Sequence, residues 1–197
     1  MTRLLWVFAL SALSALGQSA PRVLIIGDSI SIGYTPFVAK MLAGKAVVVH
    51  NAGNAATAAN GVMHVVTWLG KDKWDVIHFN FGLHDLKRLD DGERQVPPDQ
   101  YERYLRLIAD QLKKTGARLI FATTTPVPEG VSPPRVPSDV TMYNAIAVKV
   151  MKEKGIAVDD LNALAAAKAA EWQVPVNVHY KPEGYEGLAA QVVKSIQ

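Results

Sequence analysis

Short apolar runs alternate with longer amphipathic stretches along the chain, and this alternation restricts the fold more than any other feature of the sequence. Five runs are typical of strands: Val23–Ile26, Ala46–His50, Val76–Asn80, Leu119–Thr123 and Ile156–Val158. Six longer segments predict helices: Pro36–Ala43, Gly61–Leu69, Pro98–Thr115, Ser138–Lys154, Leu161–Trp172 and Glu183–Ile196. Strands that alternate with helices form a parallel sheet covered by helices. The pattern therefore predicts an α/β fold.

The N-terminus has the pattern of a secretory signal peptide. Arg3 supplies the positive charge, Leu4 to Leu16 form an apolar core of 13 residues, and small residues lead up to Ala20. This core is shorter than the roughly 20 residues that a helix needs to span a bilayer. We therefore interpret residues 1–20 as a signal peptide and residues 21–197 as a single domain. The expected location is periplasmic or secreted, with no integral membrane segment in the mature chain.

Composition excludes several classes of function. The chain has no cysteine, so disulfides, thiol catalysis and cysteine-based zinc sites are excluded. The net charge of +3 is a small excess of base without a stripe of Lys and Arg among aromatic residues, and nucleic-acid binding is not expected. A phosphate-binding loop, a dinucleotide fingerprint and a His-Glu-x-x-His helix are all missing from the sequence. The sequence thus indicates no metal and no cofactor.

A serine follows the first predicted strand at a sharp turn. Gly27 permits the turn, and Asp28 and Ser29 open a helix. The serine hydroxyl then lies at the carboxyl end of a strand, where open α/β sheets place their chemistry. Its amide lies at a helix N-terminus, where negative charge is stabilised. The non-catalytic interpretation is that Asp28 or Ser29 only caps the helix, since both residue types are preferred caps.

A proline-rich segment follows the fourth predicted strand. Residues 125–137 contain five prolines and cannot form regular structure. A long ordered loop in a compact domain is often functional. We expect this loop on the same face of the sheet as Ser29.

Two later segments share a known pattern with the serine turn. They are Gly82–Asp85 (Gly-Leu-His-Asp) and Asn177–Tyr185, which begins Asn-Val-His-Tyr. Together with Gly27–Ser29 (Gly-Asp-Ser) they resemble the blocks of SGNH (GDSL-type) hydrolases, a family of esterases and lipases. The resemblance extends over nearly all of the chain after residue 20. It implies a flavodoxin-like three-layer α/β/α sandwich with a mostly parallel five-stranded sheet, and a carboxylic ester hydrolase without a cofactor.

The resemblance also implies roles for individual residues. Ser29 corresponds to the nucleophile, and His179 to the general base. The oxyanion would be held by the Ser29 amide and by an amide of the loop after the second strand, at Ala56 or Gly53. His84 replaces the asparagine that the family uses as a further donor, and a neutral imidazole can donate one hydrogen bond. The alternative is that His84 contacts substrate or packs.

Two aspartates are candidates for a supporting role beside these residues. Asp28 precedes the serine at the helix start, and Asp85 closes the Gly-Leu-His-Asp block. Asp readily hydrogen-bonds the backbone of its own loop. We expect Asp28 and Asp85 to stabilise the two turns that carry the site.

The acid of a serine triad is missing from its family position. Three residues before His179 the family carries an aspartate, and this chain has Val176. Asn177 is adjacent but has no charge, whereas Asp159 and Asp160 end a strand elsewhere. Three interpretations remain open: a serine–histidine dyad whose tautomer a backbone carbonyl fixes, an acid recruited from elsewhere, or a weak or inactive protein.

The expected substrate is a small O-acyl ester. Export and a compact domain without an apolar lid favour a short acyl group, such as acetate on a carbohydrate. The alternative function is a carbohydrate-binding or accessory module that keeps the fold without turnover. Val176 and the altered Gly-Leu-His-Asp block motivate this alternative, while the presence of both Ser29 and His179 argues against it.

Overall fold

The computed structural model describes residues 20–197, so the predicted signal peptide lies, except for Ala20, outside the described residues. Strands β1 to β5 span Arg22–Ile26, Val47–His50, Val76–Phe79, Arg118–Ala122 and Ala157–Asp159. Helices α1 to α7 span Ser29–Met41, Ala58–Leu69, Pro98–Lys113, Pro137–Lys154, Leu161–Ala167, Ala169–Trp172 and Pro182–Ile196. Within this part of the chain, no helix is long and apolar enough to cross a membrane.

The five strands form one parallel sheet in the order β2-β1-β3-β4-β5. Helices α1 and α7 pack together on one face, and α2, α3 and α4 form the layer on the other. This is the flavodoxin-like three-layer sandwich that the family resemblance implied. In this strand order β1 and β3 flank the point where the connections reverse direction, which is where such sheets bind ligands. Ser29 follows β1 and the Gly82–Asp85 block follows β3.

Helix α1 begins earlier than the predicted segment at Pro36. The Asp28 carboxylate caps it by accepting a hydrogen bond at 2.9 Å from the backbone amide two residues later, so Ser29 is already helical. Pro36 lies inside the helix and removes one amide donor. The helix continues because its buried face, which includes Tyr34 and Val38, packs against the core.

The ends of the other helices and strands lie within a few residues of their predicted positions, and one predicted helix is divided in two. The predicted helix over Leu161–Trp172 is divided into α5 and α6 at Lys168, whose φ of −120° and ψ of 5° are not helical. Strand β3 ends at Phe79, one residue before its predicted end. Neither difference changes the order of the elements.

The close packing of α1 against α7 brings the two ends of the sequence pattern together. Gly33 in α1 lies against the ring of Tyr185 in α7, and a Cβ at Gly33 would overlap that ring. The contact therefore requires glycine at position 33. Because Ser29 begins α1 and His179 lies just before α7, this packing places Ser29 beside His179.

Candidate active site

Three side chains form a hydrogen-bonded chain at the carboxyl edge of the sheet. Ser29 Oγ lies 2.9 Å from His179 Nε2, across 150 residues of sequence. His179 Nδ1 lies 2.8 Å from Oδ1 of Asn177. The arrangement has the order nucleophile, base and orienting group that activated nucleophiles share. Asn177 occupies the orienting position.

The hydrogen bonds determine which nitrogen of His179 carries the proton. The backbone amide of His179 also donates to Asn177 Oδ1, at 3.0 Å, so this atom of Asn177 is the acceptor oxygen. Because Oδ1 can only accept, the ring nitrogen Nδ1 must carry the hydrogen. Nε2 of a neutral ring is then a free acceptor for the Ser29 hydroxyl. This is the tautomer that a general base needs.

The local backbone explains how Asn177 reaches the ring. The chain reverses between Val174 and His179, where the Val174 amide donates to the His179 carbonyl at 3.0 Å. Val176 lies in this reversal with a φ of +52°, and the residue is 60% exposed. A β-branched residue is strained at positive φ. Asn177 follows it and accepts from the amide two residues later, as asparagine in loops often does.

Neither aspartate considered from the sequence bonds to His179. Asp159 lies 3.1 Å from Nε2 of the buried His78, and Asp160 caps α5 by accepting from Ala163 N at 3.1 Å. Within residues 20–197, no carboxylate lies within ion-pair distance of His179. Sequence reasoning set Asn177 aside because it lacks charge. Its position two residues before the histidine was the signal that could have identified it.

Burial and a neighbouring charge keep His179 neutral. Desolvation lowers the pKa of His179 below its ordinary value, and the positive charge of Arg135 lowers it further. A neutral ring at pH 7 is the form that accepts a proton. His179 is therefore poised as a base over the neutral pH range.

The loop after β2 carries the candidate backbone donors for an oxyanion. Ala56 has a φ of +53°, a conformation that glycine adopts without strain. Its amide donates at 2.8 Å to the Asn54 side chain within the same loop. Gly53 has a φ of +70° and lies exposed on this loop. The Ala56 amide would have to leave Asn54 before it could bind an oxyanion, whereas the Ser29 amide stands at the start of α1.

His84 lies half-buried in the turn after β3. Burial lowers its pKa to about 4, and the charges of Arg135, Lys87 and His179 act in the same direction. A ring with this pKa is neutral at pH 7 and has one N–H to donate. His84 therefore has the protonation state that a neutral oxyanion donor requires.

The two supporting aspartates accept hydrogen bonds from backbone amides at helix N-termini. Asp28 caps α1, and burial raises its pKa to about 6. Asp85 is fully buried, and its Oδ1 accepts from Ala58 N at 2.8 Å, which joins the Gly82–Asp85 turn to the start of α2. Burial raises the pKa of Asp85 to about 7. Asp85 thus stabilises a contact between two loops, beyond the single turn expected from the sequence.

A family model of GDSL-like lipases and acylhydrolases matches residues 25–186 of this chain. The chain belongs to the GDSL-like lipase/acylhydrolase family. It is a carboxylic ester hydrolase, as the sequence pattern predicted. An arylesterase from Vibrio mimicus is 23% identical over 212 residues, which cover 100% of this chain and 98% of that protein.

Solved structures share the fold of this GDSL-like hydrolase. The lipase/acylhydrolase from Enterococcus faecalis superposes with a TM-score of 0.78 at 20% identity, over 89% of this chain and 95% of that one. An acetyl xylan esterase, AlAXEase, superposes with a TM-score of 0.76 at 15% identity, over 89% of this chain and 100% of that one. At these identities the superpositions show the fold.

One charged residue beside the site of this GDSL-like hydrolase was missed by sequence reasoning. Arg135 belongs to the proline-rich loop, and its charge lowers the pKa of both His84 and His179. The loop therefore lies on the face of Ser29, as expected. In the described part of the chain, no group of three His, Asp or Glu side chains is arranged to hold a metal ion.

Proposed function

We propose that the hydrolase cleaves small O-acyl esters, with acetate on carbohydrate as the preferred type, through Ser29, His179 and Asn177. The observation that carries this proposal is the 2.9 Å hydrogen bond between Ser29 Oγ and His179 Nε2. The N-terminal pattern further supports export to the periplasm or medium.

In the first half of the reaction the serine is acylated. His179 Nε2 takes the hydroxyl proton while Ser29 Oγ attacks the ester carbonyl, and a tetrahedral oxyanion forms. The imidazolium keeps its Nδ1–H bond to Asn177 and then gives the Nε2 proton to the departing alkoxide. An alcohol leaves, and the acyl group stays on the serine.

In the second half water releases the acid. His179 takes a proton from water, the hydroxide adds to the acyl carbon, and the proton returns to Ser29 Oγ as the carboxylic acid departs. The Ser29 amide supports the oxyanion in both halves from the N-terminus of α1. His84 supplies a second donor, and a Gly53 or Ala56 amide is the third.

The preference for a short acyl group, acetate on a carbohydrate, is supported by the solved structures that share the fold. Neighbours in fold include acetyl xylan esterases, which supports an acetylated glycan as substrate.

The test compares the mature wild type with Ser29→Ala and His179→Ala on p-nitrophenyl acetate, butyrate and octanoate. We expect hydrolysis of acetate to exceed that of octanoate and to fall to background in both variants. His64→Ala is the matched control, because His64 is exposed on α2 and bonds only its own helix within the described residues. A Ser29→Ala variant with wild-type activity would refute the proposal.

The substrate and the alternative function need a second readout. Acetate release from acetylated xylan oligosaccharides tests the carbohydrate preference, and a fluorophosphonate probe tests the reactivity of Ser29. Labelling that disappears in His179→Ala supports the serine mechanism. A folded protein that binds the glycan without labelling or turnover would instead favour the binding module.

A further inference from the structure

The guanidinium of Arg135 is held by backbone carbonyls alone. Its Nε donates to the Leu83 carbonyl at 2.8 Å and its Nη1 to the Pro133 carbonyl at 3.1 Å, while the residue is only 8% exposed. Among residues 20–197, Arg135 has no carboxylate within 4.0 Å and Nη2 has no hydrogen-bond partner. By contrast, Arg88 and Arg94 each bond Asp139 at 2.7 Å.

The contacts place Arg135 at the catalytic site. Leu83 precedes His84 in the block after β3, and it lines one small cavity together with Asp28 and Ile30. Asp28 and Ile30 are the two neighbours of Ser29 in sequence. The backbone carbonyl to which Arg135 donates therefore belongs to a residue that borders the same cavity as the two neighbours of Ser29.

A buried cation without a contacting anion is unfavourable. Removing a charge from water is strongly unfavourable unless a partner compensates it. An arginine does not avoid this penalty by losing its proton, because the guanidinium stays charged in proteins. Burial lowers the pKa of Arg135 below its ordinary value, and the negative charge of Asp28 opposes this shift through space without direct contact. The site thus holds a permanent positive charge, and within the described residues the Nη2 group of Arg135 donates no hydrogen bond.

We propose that Arg135 binds a carboxylate carried by the substrate next to its scissile ester. This inference rests on the proposed function. The two backbone bonds orient the guanidinium, and Nη2 is the arm left to meet the ligand. A guanidinium matches the planar geometry of a carboxylate, and one buried cation balances one negative charge. The carboxylate can belong to the acyl half, as in a hemiester of a dicarboxylic acid, or to the alcohol half, as in an acetylated acidic sugar.

Two matched pairs of esters distinguish these sources. For the acyl half, p-nitrophenyl hemisuccinate is compared with p-nitrophenyl butyrate, which has the same chain length. For the alcohol half, 4-acetoxybenzoate is compared with its methyl ester. We expect the wild type to have the higher kcat/KM on the charged member of one pair.

Arg135→Met should remove this preference. We expect the ratio of kcat/KM on the preferred anionic ester to that on its neutral partner to fall about 10- to 100-fold, mostly through KM of the anionic ester. Arg103→Met is the control, since Arg103 is exposed on α3. An equal loss on both members of each pair would mean that Arg135 only positions the loop, and would overturn the proposal.

Two measurements remain decisive if Arg135→Met does not fold. The wild-type preference should weaken as salt rises from 0.05 to 0.5 M, and Arg135→Lys should retain part of it. A wild type without preference for either anionic ester refutes carboxylate binding. Failure of the proposed function is separate, because it would abolish Ser29 labelling and neutral-ester hydrolysis. In that case calorimetry with succinate and 4-hydroxybenzoate, on wild type and Arg135→Lys, tests the anion site directly.

Discussion

Replacing Asn177 by alanine and by aspartate tests the proposal that an uncharged asparagine orients His179 as the base. Asn177 Oδ1 accepts from the ring nitrogen of His179 at 2.8 Å and from its backbone amide at 3.0 Å. Alanine removes both bonds, each worth about 1 kcal/mol. We expect kcat to fall about 10- to 100-fold. This is less than the ~10⁴-fold fall that follows when the charged acid of a serine triad is neutralised and the wrong tautomer forms.

Aspartate should act in the opposite direction. Its carboxylate stabilises the imidazolium that forms when His179 takes the serine proton, through a bond roughly twice as strong as a neutral one. We expect kcat at pH 8 to rise up to about tenfold. The same charge raises the pKa of His179, which burial and Arg135 hold below its ordinary value in the wild type. Because only the neutral ring accepts a proton, the acidic limb of the pH–rate profile should move to higher pH.

The assay is kcat for p-nitrophenyl acetate from pH 4.5 to 9, with thermal unfolding of each variant as the check on folding. A double variant with His179→Ala completes the design, since Asn177→Ala should have no further effect once the histidine is gone. The reasoning is refuted if Asn177→Ala keeps kcat within twofold of wild type. It is also refuted if Asn177→Asp leaves the acidic limb where it was.

Three further outcomes are expected. His84→Ala should lower kcat about 10²-fold, while His84→Asn, which restores the family donor, should stay within tenfold of wild type, both measured on p-nitrophenyl acetate. Burial raises the pKa of Asp85 to about 7, so the protonated side chain adds to the free energy of unfolding below about pH 4, and this contribution is lost as the pH rises through 7. Asp85→Asn should make the free energy of unfolding, measured with denaturant, depend less on pH over this range. Val176→Gly should raise the unfolding free energy by about 1 kcal/mol, because it relieves the strain at φ +52°, without lowering kcat. A destabilised glycine variant would show that Val176 makes a contact that outweighs its strain.

Local patterns were sufficient for most of the fold. The Gly27–Ser29 turn and the irregular segment over residues 125–137 both depend on features a few residues long. For helix α1 local reasoning gave two starts: the start at Asp28 and Ser29 is confirmed, whereas the start at Pro36 is wrong, because the helix continues through it. The packing of α1 on the core outweighs the single hydrogen bond that the proline removes.

The sequence by itself determined the family, the α/β class and the two residues, Ser29 and His179, proposed as nucleophile and base. Each of these follows from residue types at fixed local spacing. Only the tertiary structure decided which side chain hydrogen-bonds the His179 ring and which charged residue lies near it. Asp159 hydrogen-bonds His78 rather than His179, and the side-chain oxygen of Asn177 accepts from the His179 ring. Arg135 donates to the Leu83 carbonyl, which lies 52 residues earlier in the sequence. Partnerships of this kind depend on distances between side chains from separate loops, and sequence spacing does not encode them.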